Sequence, residues 1–346
     1  PAEAAEAERR RLRREQLAAQ NASLAHCERQ YAHANRVYKQ LVEQVHALPQ
    51  EAHEKSRTLI RGFLDALSGK HETCIRLLTE AAGDRASCHS VNVTVISMLL
   101  GRATGLSEAD LADLGMGALL HDLGKIDLPD RVRWKDEHFT VAEVQFYQEH
   151  VAHGVNLARK MQLSPGAAQV IAQHHEHVDG SGFPQRLTFE SISVPARIVA
   201  LVNRYDNLCN PQNPAKALTP HEALSLMFAQ MKSRFDATML SAFIRMMGVY
   251  PPGSVVQLTD ERYALVVSVN SAPPLKPRVV VHDARVPAEE ALIIDLEDEP
   301  MLGIRRSLKP LQLPKASLDY LSPRQRVCYF FERARESVAE DDGLAA

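Results

Sequence analysis

Hydrophobic positions along the first 48 residues repeat every seven: Leu17, Leu24, Tyr31, Tyr38 and Val45, with Cys27, Ala34, Leu41 and Leu48 each three residues after one of them. No Gly or Pro interrupts this Ala-, Glu- and Arg-rich segment before Pro49. Such a stripe is narrower than the apolar face of a core-packed helix, so residues 1–49 are expected to form a coiled-coil stem. One long amphipathic helix lying on its own domain is the alternative. A second helical stretch is expected from Gln50 to Ala82, broken near Ser68-Gly69.

From Ser87 to about Gly248 the pattern stays helical and shows no strand signal. Thr140 with Glu143, and Thr219-Pro220 with Glu222, have the form of N-terminal capping boxes, and Ser107 with Asp110 is a weaker version. Pro129, Pro165, Pro184, Pro195, Pro211 and Pro214 mark the loops between helices. Residues 50–250 are therefore expected to form one all-α domain. After Tyr250-Pro251-Pro252-Gly253 the pattern changes to short Val-, Ile- and Leu-rich runs at 254–258, 263–270, 278–282 and 292–296. These predict a small antiparallel sheet or barrel-like appendage. A final helix is expected from Ser322-Pro323 to about Glu336, packing the aromatics between Tyr320 and Phe331, with a disordered tail from Glu340 to Ala346. The fold class is mainly α, with a β-rich appendage and C-terminal helix over 251–346.

Composition narrows the function. The chain has 346 residues, 45% hydrophobic and 24% charged, as in globular proteins. A net charge of -3 argues against a broad surface for a nucleic-acid polymer. The longest apolar stretch, Val93 to Leu100, is too short to span a bilayer. Five dispersed cysteines without CxxC spacing fit reduced thiols and a cytoplasmic setting. The chain opens on Pro1, and a fragment of a longer protein is expected.

The chemistry concentrates in the helical region. Seven of the fifteen histidines fall between positions 121 and 177. His121-Asp122 sits in HDLGK, His150 in QEHVAHG, and His174-His175 in HHEHVDGSGFP. Imidazole and carboxylate donors without a nearby thiolate suit a hard or borderline divalent metal. Adjacent helical residues point about 100° apart, so His121 and Asp122 cannot chelate one ion as an i,i+4 pair does. They can serve two ions, with the carboxylate bridging, an arrangement suited to phosphoester cleavage. Lys125, on nearly the same face as Asp122, can contact a phosphate oxygen or aid the leaving group.

At these residues the chain resembles the HD-GYP family of the HD phosphohydrolase superfamily. The matches are HDLGK at 121–125, His150 with Gly154, HHEHVDGSGFP at 174–184, IVALVNRYDNL at 198–208, and Ala217-Leu218-Thr219-Pro220. The resemblance covers about Gly83 to Tyr250 and implies an HD-type helical bundle that hydrolyses cyclic di-GMP to linear pGpG or GMP. It implies two divalent ions, iron or manganese foremost, with zinc, nickel or magnesium as alternatives. Carried over, His89, His121, Asp122 and Asn203 would hold the first ion. Asp122 would bridge to the second, held by His150, His174 and His175, with Asp122 and Lys125 catalytic. Lys125, Gly182, Phe183, Asp206 and Lys216 would meet the substrate. An upstream receiver or sensor domain and a homodimer through the N-terminal helix are the implied partners, with no membrane in this segment.

The chain also departs from the family pattern. Asn203 stands where the family has a carboxylate ligand, which lowers affinity for the first ion. Arg85 stands where members with three ions carry Glu. Phe183 replaces the Tyr of GYP, and His177 the Arg of HHER. The basic RPYRKAL segment reads Gln212-Asn213-Pro214-Ala215-Lys216-Ala217-Leu218, leaving Lys216 as its one charge. Two alternatives follow: a catalytically weakened module acting as a cyclic di-GMP sensor or protein-interaction output domain, and a phosphohydrolase for another nucleotide.

Overall fold

A computed structural model describes residues 2–69, 72–79, 83–135, 137–269 and 275–333. The chain opens with α1 (Ala2–Gln44) and α2 (Pro49–Leu67), an antiparallel pair, followed by strand β1 (Thr73–Leu77). The helical bundle comprises α3 (Arg85–Ala103), α4 (Glu108–Leu120), α5 (Val141–Gln148), α6 (His150–Lys160), α7 (Pro165–Gln173), α8 (Val194–Cys209), α9 (Pro220–Gln230) and α10 (Ala237–Met247). The expected capping boxes at Thr140/Glu143 and Thr219/Glu222 are both formed, and Ser107 caps α4 through the Asp110 N–H. Helix α3 lies at the centre, buried on nearly every face from Ser87 to Gly101, and packs against α4, α8 and α1. Among the described residues no helix is long and apolar enough to cross a membrane, and all five cysteines are free and buried.

The sheet contains β2 (Val255–Leu258), β3 (Tyr263–Ser268), β4 (Arg278–Val281), β5 (Ile293–Asp295), β6 (Ile304–Leu308) and β7 (Tyr329–Arg333), with the short helix α11 (Lys315–Leu321) before β7. All pairings are antiparallel, in the order β5-β4-β3-β1-β7, with β2 joining β3 to β6. Strands β2 to β5 fall where the Val- and Ile-rich runs predicted them.

Three expectations are corrected. Residues 322–328 are not helical, and the aromatics after them form β7, whose Tyr329, Phe330 and Phe331 pair with Leu77, Arg76 and Ile75. Consecutive large aromatics fit a strand buried on both faces, here against α1, α2 and the bundle. The stretch expected to be helical to Ala82 instead ends at Leu67 and supplies β1, so the sheet draws one strand from outside 251–346. The heptad stripe packs within the chain over much of its length: Cys27, Tyr31, Ala34, Tyr38, Leu41 and Val45 are buried against their own core. Those side chains are not available to a partner helix. Leu12, by contrast, is 46% exposed. The expected disordered tail lies outside the described residues.

Candidate metal centre

Three of the expected ligands stand at helix ends. Helix α4 stops at Leu120, directly before His121, and α7 stops at Gln173, directly before His174. His150 follows α5 by two residues and opens α6. The last carbonyls of a helix lack intrahelical donors. Each histidine uses one: Nδ1 of His121 donates to Ala118 O at 2.6 Å, that of His150 to Tyr147 O at 2.5 Å, and that of His174 to Ile171 O at 2.7 Å. A carbonyl carries no proton, so each ring is fixed as the Nδ1–H tautomer with a lone pair on Nε2. The fourth ring, His89 on α3, donates Nδ1–H to Asp206 Oδ2 at 2.6 Å.

The four Nε2 atoms face one another in two pairs, 3.2 Å apart for His89 and His121 and 3.3 Å apart for His150 and His174. With both Nδ1 positions protonated, neither pair has a hydrogen to share. Two buried lone pairs in this position call for a cation: nitrogens each about 2.1 Å from one ion in perpendicular directions stand about 3 Å apart. Asp122 lies between the pairs. Its Oδ2 is 3.6 and 3.5 Å from Nε2 of His89 and His121, and its Oδ1 is 3.6 and 3.7 Å from those of His150 and His174. Oδ1 is buried without a hydrogen-bond partner, as is His175 Nε2. The donors thus form two groups sharing one carboxylate: His89, His121 and Asp122, and Asp122, His150, His174 and His175. His153, three residues after His150, stands outside both.

Charge follows from this packing. Burial pushes the His121 and His150 rings down to about 3, and burial beside His174 and His150 pushes His175 far down, so all three stay neutral ligands. Burial raises the Asp122 carboxyl, but the Lys125 ammonium, with Nζ 2.7 Å from Oδ2, is the chief opposing influence, and the group stays well below the carboxylate range. Burial likewise opposes the Lys125 ammonium, and Asp122 more than compensates, raising it.

Two of the glycines in these motifs permit close approach. A Cβ on Gly124 would lie 2.0 Å from His150 O, and one on Gly182 would lie 2.4 Å from His175 O. The Phe183 ring stacks on His175, centroids 4.4 Å apart at 18°, and walls that side of the centre. Other expected substrate residues are engaged elsewhere. Asp206 is buried, with Oδ2 accepting from His89 and Oδ1 from Asn92 and Asn210, so both of its oxygens are taken by side chains of the chain. Lys216 is exposed and ion-paired with Glu137. Asn203 is buried one turn before Asp206, its Oδ1 accepting from Asn207 Nδ2 at 2.8 Å.

Sequence reasoning missed three supporting groups. Glu176 is buried and accepts from Gln185 N at 2.7 Å and Leu187 N at 2.8 Å, clamping the loop that carries Phe183. Its place inside the HHE motif was the available signal. Tyr147 and Trp134 both lie 5.3 Å from Lys125 Nζ, and no sequence pattern marks them.

Residues 65–239 match the HD domain family. The chain is 32% identical over 194 residues to cyclic di-GMP phosphodiesterase PA4108 of Pseudomonas aeruginosa, covering 56% of this chain and 47% of that protein. It is 31% identical over 211 residues to the cyclic di-GMP phosphodiesterase response regulator RpfG of Xanthomonas campestris pv. campestris, covering 60% and 56%. The chain thus spans about half the length of these curated relatives. Among solved structures it is similar to Bd1817, an HDG"Y"P protein from Bdellovibrio bacteriovorus, at 16% identity and a TM-score of 0.49, covering 64% of this chain and 71% of that one. The matched span contains the HDLGK and HHEHVDGSGFP motifs and every histidine of the two ligand groups, and the chain belongs to the HD domain family.

Proposed function

We propose that this chain is a two-ion phosphodiesterase acting on cyclic di-GMP. The observation that carries the proposal is the division of Asp122, one oxygen toward each histidine pair, with Oδ1 and His175 Nε2 buried and unpartnered. His89, His121 and Asp122 would hold one ion, and His150, His174, His175 and Asp122 the other. Ions held there would supply a hydroxide at neutral pH and neutralise phosphate oxygens. Asp206 fixes the tautomer and plane of His89, as carboxylates behind metal-bound histidines do. Lys125, held protonated by Asp122, presents positive charge to the phosphate or its leaving group. Phe183 and Tyr147 wall the His175 side and exclude water. The names of the curated relatives support cyclic di-GMP as substrate.

A second reading, a weakened member that senses the dinucleotide, is favoured by two observations. The Asn203 side-chain oxygen accepts from Asn207, and the exposed Lys216 is paired with Glu137. Anaerobic purification, metal content per chain and cyclic di-GMP turnover separate the two. Two iron or manganese ions with turnover support the enzyme. Binding of the dinucleotide without turnover, after full metal loading, supports the sensor and sinks the enzyme. A homodimer would use the α1 segment before Leu24, and sedimentation of chains with and without residues 2–23 tests that.

A further inference from the structure

The expected basic segment keeps Lys216 as its one charge, and a further cation stands near the histidine cluster on α3. Arg85 is the first residue of that helix, one turn before the ligand His89, and residues four apart share a helical face. Its guanidinium carbon lies 4.8 Å from the centroid of the Trp134 ring. Lys125 Nζ lies 5.3 Å from the same ring and 2.7 Å from Asp122 Oδ2. The indole therefore gathers two cations at the edge of the metal-ligand cluster.

Arg85 is poorly used as a structural group. One long hydrogen bond runs from Nη2 to Asn210 O at 3.3 Å, and Nε is buried without a partner. Among the described residues no carboxylate forms an ion pair with it. Burial pushes its pKa down, while Asp206 and Asp122 pull it up, Arg326 lowers it and Tyr147 raises it. A guanidinium stays charged throughout. The indole holds the guanidinium 4.8 Å from its ring, and with Nη2 on Asn210 the fork keeps donors that no protein group takes. A planar fork of donors is what binds phosphate oxygens in two-point contacts.

We propose that Arg85 is a substrate-binding residue, whose fork takes a non-bridging oxygen of the phosphodiester held at the metal centre, with the Trp134 ring holding it. The proposal deepens the phosphodiesterase reading and rests on it for the identity of the substrate. It is tested with inorganic phosphate as the probe, by calorimetry on the metal-loaded protein. Arg85→Ala is expected to weaken phosphate at least about 10-fold with metal content and helicity unchanged, and Arg85→Lys, a charge without the fork, to fall between. In turnover of cyclic di-GMP, Arg85→Ala should raise KM more than it lowers kcat. Should Arg85→Ala fail to fold, Arg85→Gln, which removes the charge and the fork but keeps a polar side chain, carries the same comparison. Equal phosphate affinity in wild type and variant overturns the proposal, and so does a wild type that binds no phosphate. Arg85-dependent phosphate binding without turnover upholds it while sinking the phosphodiesterase reading.

Discussion

The two halves of the metal centre are built on one plan and differ in what surrounds them. In each, two Nε2 lone pairs about equally spaced face one oxygen of Asp122. The His150–His174 half adds His175, whose Nε2 has no other partner, and its Asp122 oxygen is unshared. The His89–His121 half shares its Asp122 oxygen with the Lys125 ammonium. Its further ligand would be Asn203, a neutral amide already bonded to Asn207. The second half thus collects more donors and no competing cation. Affinity is set as much by what else claims each donor as by the donors themselves.

The largest expected effect is loss of the common element. Asp122→Ala should remove both ions and lower cyclic di-GMP turnover at least about 10³-fold, read by metal content and product formation. Retention of one tightly bound ion would break the picture of a shared carboxylate. Next come the unequal halves. His174→Ala should release the more tightly held ion, whereas His89→Ala should leave it and empty only the weaker site, as metal titration would show. Equal losses would erase the asymmetry. A smaller change should sharpen it: Asn203→Asp adds a charged ligand to the weak half and should tighten its ion by about 10-fold, with turnover rising in step.

The smallest effect is on stability. His121 and His150 have pKa values of about 3 in the fold, against about 6.5 unfolded. Between these values the unfolded chain binds more protons, so stability rises with pH there. Metal-free protein should therefore be most stable above about pH 6.5 and lose melting temperature steadily as pH falls toward 3. His150→Gln should flatten that slope, because one of the rings kept neutral is gone.

Most of the donor cluster was legible because it rests on short motifs. HDLGK, His150 and HHE each place a donor where a helix ends, and local rules of helix termination put a free carbonyl behind the ring. Strands β2 to β5 were legible for a similar reason, as their apolar runs are bounded by turns. Strand β1 was not, because the run Thr73–Leu77 is too short to separate from a helix and its partner β7 lies some 250 residues away. The heptad stripe of α1 was legible as a stripe and misleading as to its occupant. Periodicity states which face is buried, not what covers it. Tyr31 sends its hydroxyl to the Asn92 amide at 3.1 Å, and Asn92 donates to Asp206 behind His89. That linkage joins residues 31, 92, 206 and 89, and no local pattern encodes it.

By itself the sequence determined which donor side chains stand at helix ends, since donor type and helix-end position are local properties. Only the tertiary structure decided which oxygen of Asp122 each histidine pair faces, that Asp206 serves His89, that Lys216 is paired with Glu137 and that Arg85 stands at the rim. These depend on distances between segments far apart in the chain, which packing alone sets.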